Sequence, residues 1–251
     1  MKILNKIIFV AFLLPNFLFA QSTVMEWPRW FIFPAKYPNI LTGFGNSNFS
    51  ALKDVRELLK MQNKTALKGV LSYYFDYKNE DDGRVSGYSF KYDTSFVIKQ
   101  NLIPLEVDYL NILTEEYIQA FACDSIKLDT IPKLSVKNLI PPGWTKASFY
   151  EDDVYFYGVG VYTSLGRDVD AWRTSEEEAI LTIVKARCNN IFQIKSSEGH
   201  KGVDLNNEKI VSTKFNCEFS NFLVLERYPD SANKLYYTLI RIPKVDLIIH
   251  K

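Results

Sequence analysis

The strongest constraint on this chain is a motif that occurs twice at almost one offset. Trp27-Pro28-Arg29-Trp30 precedes a segment ending Gly43-Phe44-Gly45, and Pro141-Pro142-Gly143-Trp144 precedes one ending Gly158-Val159-Gly160. Gly43 and Gly158 lie 115 residues apart, and Trp30 and Trp144 lie 114 apart. A spacing held to one residue over a whole motif reads as one supersecondary unit used twice.

The segments after the two motifs also match. After Gly45, Ser50 reads as an N-cap, and Ala51, Leu52, Val55, Leu58, Leu59, Ala66, Leu67 and Val70 recur mostly at helical spacings. That is the pattern of an amphipathic helix. After Gly160, Thr174 and Ser175 are each followed three residues on by a glutamate, Glu177 or Glu178. This is a capping-box signature for a helix start, and Ala179, Ile180, Ile183, Val184, Ala186, Arg187, Cys188 and Ile191 continue the helix. In this reading Glu176, Glu177 and Glu178 sit in the first turn, where carboxylates complement the positive end of the helix dipole. They are assigned a structural role, not a metal-binding or catalytic one.

Strand signals come after both helices. They cover 70–77, 88–98, 105–113 and 116–122 in the first copy, and 211–219, 222–227 and 235–242 in the second, where 228–233 is a turn segment. The expected fold is α+β: two tandem modules, each a strand, a long amphipathic helix and an antiparallel sheet. The modules span 25–127 and 143–251, separated by a linker over 128–142 that carries Pro132, Pro141 and Pro142. Each is large enough for a small core of its own.

Composition places the chain. With 47% hydrophobic residues it can fold, which excludes wholesale disorder. Thirty basic against 29 acidic residues give no global attraction to nucleic acid or anionic lipid. Residues 1–20 read as a secretory signal, with Lys2 and Lys6, an apolar run over 7–14, and Ala20 before Gln21. The run is shorter than the roughly 20 residues of a membrane span, and no cysteine comes after it to take a lipid. The expected address is the exported compartment. Three cysteines, Cys123, Cys188 and Cys217, leave open one disulfide plus a thiol or three buried thiols. A helix position for Cys188 and a strand position for Cys217 favour buried thiols.

The motifs carry little chemistry. Gly43 with Gly45 and Gly158 with Gly160 invite a phosphate-loop reading, but Asn48 and Thr163 stand where the dinucleotide fingerprint needs its third glycine. Glycines that end an inner strand under a closely packed helix explain the pairs better. Trp30 and Trp144 read as plugs at one end of each module, with sugar stacking the alternative. The aromatic strands (Tyr73, Tyr74, Phe75 and Tyr77; Tyr155, Phe156 and Tyr157) fit a half-buried sheet or an assembly surface. Asp81-Asp82 and Asp152-Asp153 read as solvated loop charges, and no Gly-x-Ser-x-Gly occurs. No catalytic residue, cofactor site or metal site is assigned. The tail over 245–251 is suited to an added edge strand or to a partner.

Pro142-Gly143-Trp144, Tyr157-Gly158-Val159-Gly160, and Ala179 with Ala186-Arg187 together resemble the LPP-twenty lipoproteins, a family of bacterial envelope lipoproteins of about twenty kilodaltons and their flagellum-associated relatives. The resemblance covers about 140–200 best and 27–75 more weakly, where Gly43-Phe44-Gly45 is kept and the Ala-Arg pair is not. It implies a compact, somewhat dodecin-like module, a place at the outer membrane or in the periplasm, and no catalysis. This chain departs from the pattern in lacking the lipidation cysteine and in carrying two modules.

The residues leave three readings of function open. The first is a non-enzymatic exported protein working through contacts with envelope proteins or with further copies of itself. The second is a binding protein for a small ligand or glycan, using the cleft between modules. The third is a hydrolase, which requires a buried carboxylate or thiol of strongly shifted pKa in a cleft.

Overall fold

The structure, a computed structural model, describes residues 26–76, 81–111, 116–122, 133–135, 139–163, 167–187, 191–196 and 208–250. The expected signal segment, Tyr77, Cys123, Cys188 and most of the linker lie outside the described residues.

The chain begins with β1 (Glu26–Pro28), a one-turn helix α1 (Arg29–Ile32) and β2 (Ile40–Gly45), followed by helix α2 (Asn48–Asn63). A long hairpin, β3 (Thr65–Asp76) and β4 (Asp81–Tyr92), comes next, then β5 (Ile103–Asn111), β6 (Glu116–Ala122) and the short β7 (Lys133–Ser135). The second half runs β8 (Phe149–Glu151), β9 (Tyr155–Thr163), helix α3 (Asp168–Arg187), β10 (Ile191–Ser196) and β11 (Glu208–Phe219). It closes with β12 (Leu223–Asp230), β13 (Leu235–Pro243) and β14 (Leu247–Ile249). This is a mixed α/β protein with a few helices on antiparallel sheets.

One strand order recurs. In the first half the sheet runs β2-β6-β5, and in the second β9-β13-β12, with β8 added beyond β9. In both, the strand before the helix pairs with the last strand of the set after it, which takes the middle position. The helix then crosses the sheet over its two glycines. A Cβ at Gly43 would come closer than 3.0 Å to the Ala51 carbonyl on α2, and Cβ atoms at Gly158 and Gly160 would meet the Ala179 and Ser175 carbonyls on α3 just as closely. No side chain fits there.

A third sheet joins the halves. β3 pairs antiparallel with β11 from Thr65↔Phe219 to Asp76↔Glu208, giving the order β10-β11-β3-β4. β10 covers the other side of β11 along its first part, and β14 covers Cys217 to Phe219. The tail is therefore an edge strand. The 128–142 segment contributes β7, whose partner is β1, so it is tied to the start of the first half.

Two clusters of buried residues run across that segment, while a third, Ala51, Val55 and Phe121, lies within the first half. One cluster joins Leu67 from β3 to Ile180, Phe215 and Ile240. Another joins Trp27, Trp30, Phe31, Phe44 and Ile118 to Trp172 and Tyr236. Trp172 makes edge contacts with Phe31 and Tyr236, at 5.3 and 4.7 Å between ring centres. Nonlocal strand pairing and ring packing thus make the two halves interdependent.

Several local expectations need correction. The first helix is capped by Ser47, with Ser50 at its third position completing the capping box. It ends at Asn63, so Ala66, Leu67 and Val70 belong to β3. The second helix begins at Asp168, and Thr174 and Ser175 lie inside it. Their hydroxyls donate back to the Asp170 and Trp172 carbonyls instead of capping. Ile191 opens β10 rather than ending the helix. Asp81 and Asp82 lie in β4, not in a loop. Cys217 is buried in β11.

Candidate functional site

Glu176, Glu177 and Glu178 lie two turns inside α3 rather than at its start, because the helix begins at Asp168. Helical periodicity then turns Glu176 inward, where it is almost fully buried. Burying a carboxylate alone is very costly, so it must be paired. Its partners are two arginines. Arg173, one turn earlier, donates from Nη1 to Glu176 Oε2 at 3.0 Å, and Arg227 on β12 donates from Nη2 to Oε1 at 2.6 Å.

The network extends in both directions. Arg227 also donates to the Phe31 carbonyl at 2.7 Å, and its guanidinium lies 4.4 Å from the Phe31 ring centre. Arg173 pairs with Asp54 on α2, and Asp54 in turn accepts the Phe44 backbone N–H at 2.9 Å. A line of alternating charge, Asp54–Arg173–Glu176–Arg227, therefore connects α2, α3 and β12, with Phe31 and Phe44 stacked against the guanidiniums. Burial pushes the Asp54 carboxyl above its ordinary range, against the opposing pull of Arg173 and the Phe44 amide.

A cavity of about 220 Å³ opens beside this line. One wall is α2, through Asp54, Glu57, Leu58 and Met61. The facing wall is α3, through Arg173, Glu176, Glu177 and Ile180. Phe90 and Tyr92 on β4, with Phe222, complete it. The lining thus combines charged and apolar groups. The Tyr92 hydroxyl is held above its ordinary pKa by burial first and then by the negative charges of Glu57 and Asp54. A second, shallower groove is lined by Gln62, Tyr155, Asn221 and Arg241, with the Arg241 guanidinium 4.3 Å from the Tyr155 ring centre.

The residues singled out from the sequence frame this site without lining it. Gly43, Gly45, Gly158 and Gly160 set the height of the two helices over their sheets. Trp30 is fully buried in the aromatic cluster, and Trp144 is half-buried in a 3-10 turn over 143–146. Of the residues that line the cavity, the sequence pattern marks Leu58 and Ile180 as apolar helix positions and places Glu176 and Glu177 at a helix start, while Asp54, Glu57, Met61, Phe90, Tyr92 and Arg173 escape it. The one available signal is an arginine three residues before a glutamate on an apolar helix face. Asp54, a half-buried carboxyl in this cleft, is raised in pKa by burial, and its charge is engaged by Arg173. Among the described residues, no group of three or more His, Cys, Asp or Glu side chains is arranged to hold a metal ion. No helix among them is long and apolar enough to cross a membrane.

No protein-family model, curated protein or solved structure matches this chain.

Proposed function

We propose that this chain is an exported, non-enzymatic binding protein of the bacterial cell envelope, and that the cleft between α2 and α3 is its working surface. The repeated motif, the recurring strand order and the matched helix crossings support descent from two tandem modules of a dodecin-like, LPP-twenty type. The observation that carries the binding reading is the cavity itself. It lies where the two halves meet, and it combines an apolar wall with convergent charged groups, as ligand sites at such junctions do. The ion-pair line holds both helices at a fixed separation, which keeps the cleft preformed. The test is native mass spectrometry of the chain isolated gently from its own envelopes, comparing wild type with Leu58→Trp. The tryptophan fills the cavity from α2. Wild type is expected to carry a bound mass that the variant loses; equal masses in both would overturn the reading.

A second reading, docking to envelope proteins or to further copies of this chain, is favoured by one face of the β8–β9 sheet. Tyr150 and Tyr157 stack there at 4.6 Å, Val161 stands exposed farther along the same face of β9, and Tyr162 beside it stands exposed on the opposite face. Aromatic groups in that setting suit an interface. Cross-linking in envelopes is expected to give a discrete larger complex, which a Val161→Asp variant fails to form; a wild-type chain that stays monomeric in envelopes would remove this reading.

A further inference from the structure

We infer that the groove between the end of α2 and the β9–β13 sheet binds an apolar monocarboxylate, whose carboxylate Arg241 takes. The groove is distinct from the cleft between α2 and α3 and is a second site.

Strand parity sets its floor. Gly158 and Gly160 face α3, so Tyr155 and Tyr157 on β9 turn to the other side of the sheet. Arg241 on β13 stands opposite Tyr157, and Leu223 on β12 stands opposite Arg241. All four therefore share the face away from the helix. The turn before β12 closes the groove. Asn221, with φ of 53° in the left-handed region that asparagine tolerates, donates its backbone N–H to the Gln62 carbonyl at 2.7 Å. Gln62 Nε2 donates in return to the Phe222 carbonyl at 3.1 Å, and Asn221 Nδ2 to Asp246 Oδ2 at 2.9 Å. These bonds tie the last turn of α2 to the sheet, so a groove of about 370 Å³ is held open before any ligand arrives.

Charge decides the class. Among the described residues Arg241 is the one charged side chain in the lining. Arg167, Arg173, Arg187 and Arg227, the other arginines described in the second half, are each paired with a carboxylate. Arg241 has neither a hydrogen bond nor an ion pair among the described residues, and its guanidinium rests 4.3 Å from the Tyr155 ring centre. Two acids on adjoining segments are turned to other partners, Asp246 to Asn221 and Asp152 to the Tyr157 hydroxyl. A half-buried guanidinium without a counter-charge repels a cation and draws in an anion.

The donors narrow the anion. Contact with the ring restrains the guanidinium without using its N–H groups, whose planar fork matches a carboxylate. One positive charge balances a monoanion and leaves a phosphate dianion only half compensated. Phe222, Leu223 and Pro243 supply an apolar wall beside the charge, so the acid carries a short chain or a ring.

The experiment is a titration of the full-length chain, followed through the backbone amides of Tyr155, Leu223 and Arg241, with four probes. 3-Phenylpropanoate is the acid, 3-phenylpropanamide its uncharged counterpart and inorganic phosphate the anion without an apolar group. N-acetyl-glycyl-phenylalanine carries the same carboxylate at the end of a peptide. The acid is expected to saturate at least about tenfold more tightly than the amide or phosphate, and raised salt to weaken it. Arg241→Gln, still folded by its amide spectrum, is expected to lose that preference. The comparison of acid with amide on wild type decides even where the variant does not fold. Tighter binding of the peptide than of 3-phenylpropanoate identifies a protein C-terminus as the source, and equal or weaker binding identifies a free acid. Equal or tighter binding of the amide or of phosphate overturns the assignment. So does a folded Arg241→Gln protein that keeps the preference, or the absence of a saturable shift with every probe.

Discussion

Glu176 and Arg227, 51 residues apart in the chain, form an ion pair of 2.6 Å with both side chains less than a tenth exposed. It joins the middle of α3 to β12 and fixes a charged line inside a largely apolar region. Such a pair costs little while intact and much when one member is removed, because the other charge is then buried without compensation. Glu176→Gln is expected to destabilise the chain by about 3–5 kcal/mol. Adding Arg227→Met to it should cost less than the sum of the two single changes, with a coupling of roughly 0.5–3 kcal/mol. Urea unfolding of the four species measures this. Additive costs would mean that the two residues act independently.

The helix crossings make a sharper prediction at three glycines. Gly158→Ala and Gly160→Ala place a methyl group against backbone carbonyls of α3, which cannot rotate away. Each is expected to cost about 1–3 kcal/mol or more through forced separation of helix and sheet. At Gly143 an added methyl would have nothing within 4 Å, so Gly143→Ala should stay within about 0.5 kcal/mol of wild type. Thermal melts of the three variants decide. A Gly160→Ala protein as stable as Gly143→Ala would contradict the crossing geometry.

How much of this is legible in the sequence depends on how local the determining physics is. The glycine pairs and the aromatic leads carry the strand–helix crossings, because a close backbone approach leaves a local mark. Most strands are readable too, from β-branched and aromatic runs such as Leu235 to Ile242. The charged line is not. Thr174 and Ser175 with Glu177 and Glu178 match a capping box, yet the same residues are compatible with a helix interior once the hydroxyls bond back to Asp170 and Trp172. That misplaced start hides the inward turn of Glu176. Ala66, Leu67 and Val70 continue the apolar spacing of α2, and only pairing with β4, the next strand, and with β11, distant in sequence, draws them into a strand. Arg227 and the Asp54 beyond Arg173 lie on other elements, so no spacing rule could find them.

Lys64 and Glu218 supply a pH prediction of opposite sense to burial. Glu218 on β11 accepts from Lys64 Nζ at 2.6 Å, and that hydrogen bond holds its carboxyl below the ordinary value of 4.5. A depressed folded pKa contributes stability above the unfolded value, and the contribution is lost as pH falls through the folded one. Melting temperature should therefore fall below about pH 4.5 more steeply in wild type than in Lys64→Met, in which Glu218 titrates nearer its ordinary value. Carboxyl NMR titration of both proteins checks the assignment. An unchanged Glu218 titration in Lys64→Met would show that the pair is not formed in solution.

Tyr157 gives the matching case at high pH. Its hydroxyl donates to Asp152 Oδ2 at 2.6 Å, and its pKa is pushed up to about 12, by burial first and then by the hydrogen bond to Asp152 and its negative charge. Ionising the phenol breaks the bond and sets two negative charges side by side. Because the folded pKa lies above the ordinary value of 10.0, the associated stability is complete below pH 10 and is lost between about 10 and 12. The absorbance of tyrosinate, compared between wild type and Tyr157→Phe, isolates this titration. Asp152→Asn should lower it toward 10 without restoring it fully, since the burial contribution remains. If the substitution leaves the titration near 12, burial alone sets it and Asp152 serves only the turn, where it accepts the Val154 and Tyr155 amides at 2.8 and 2.7 Å.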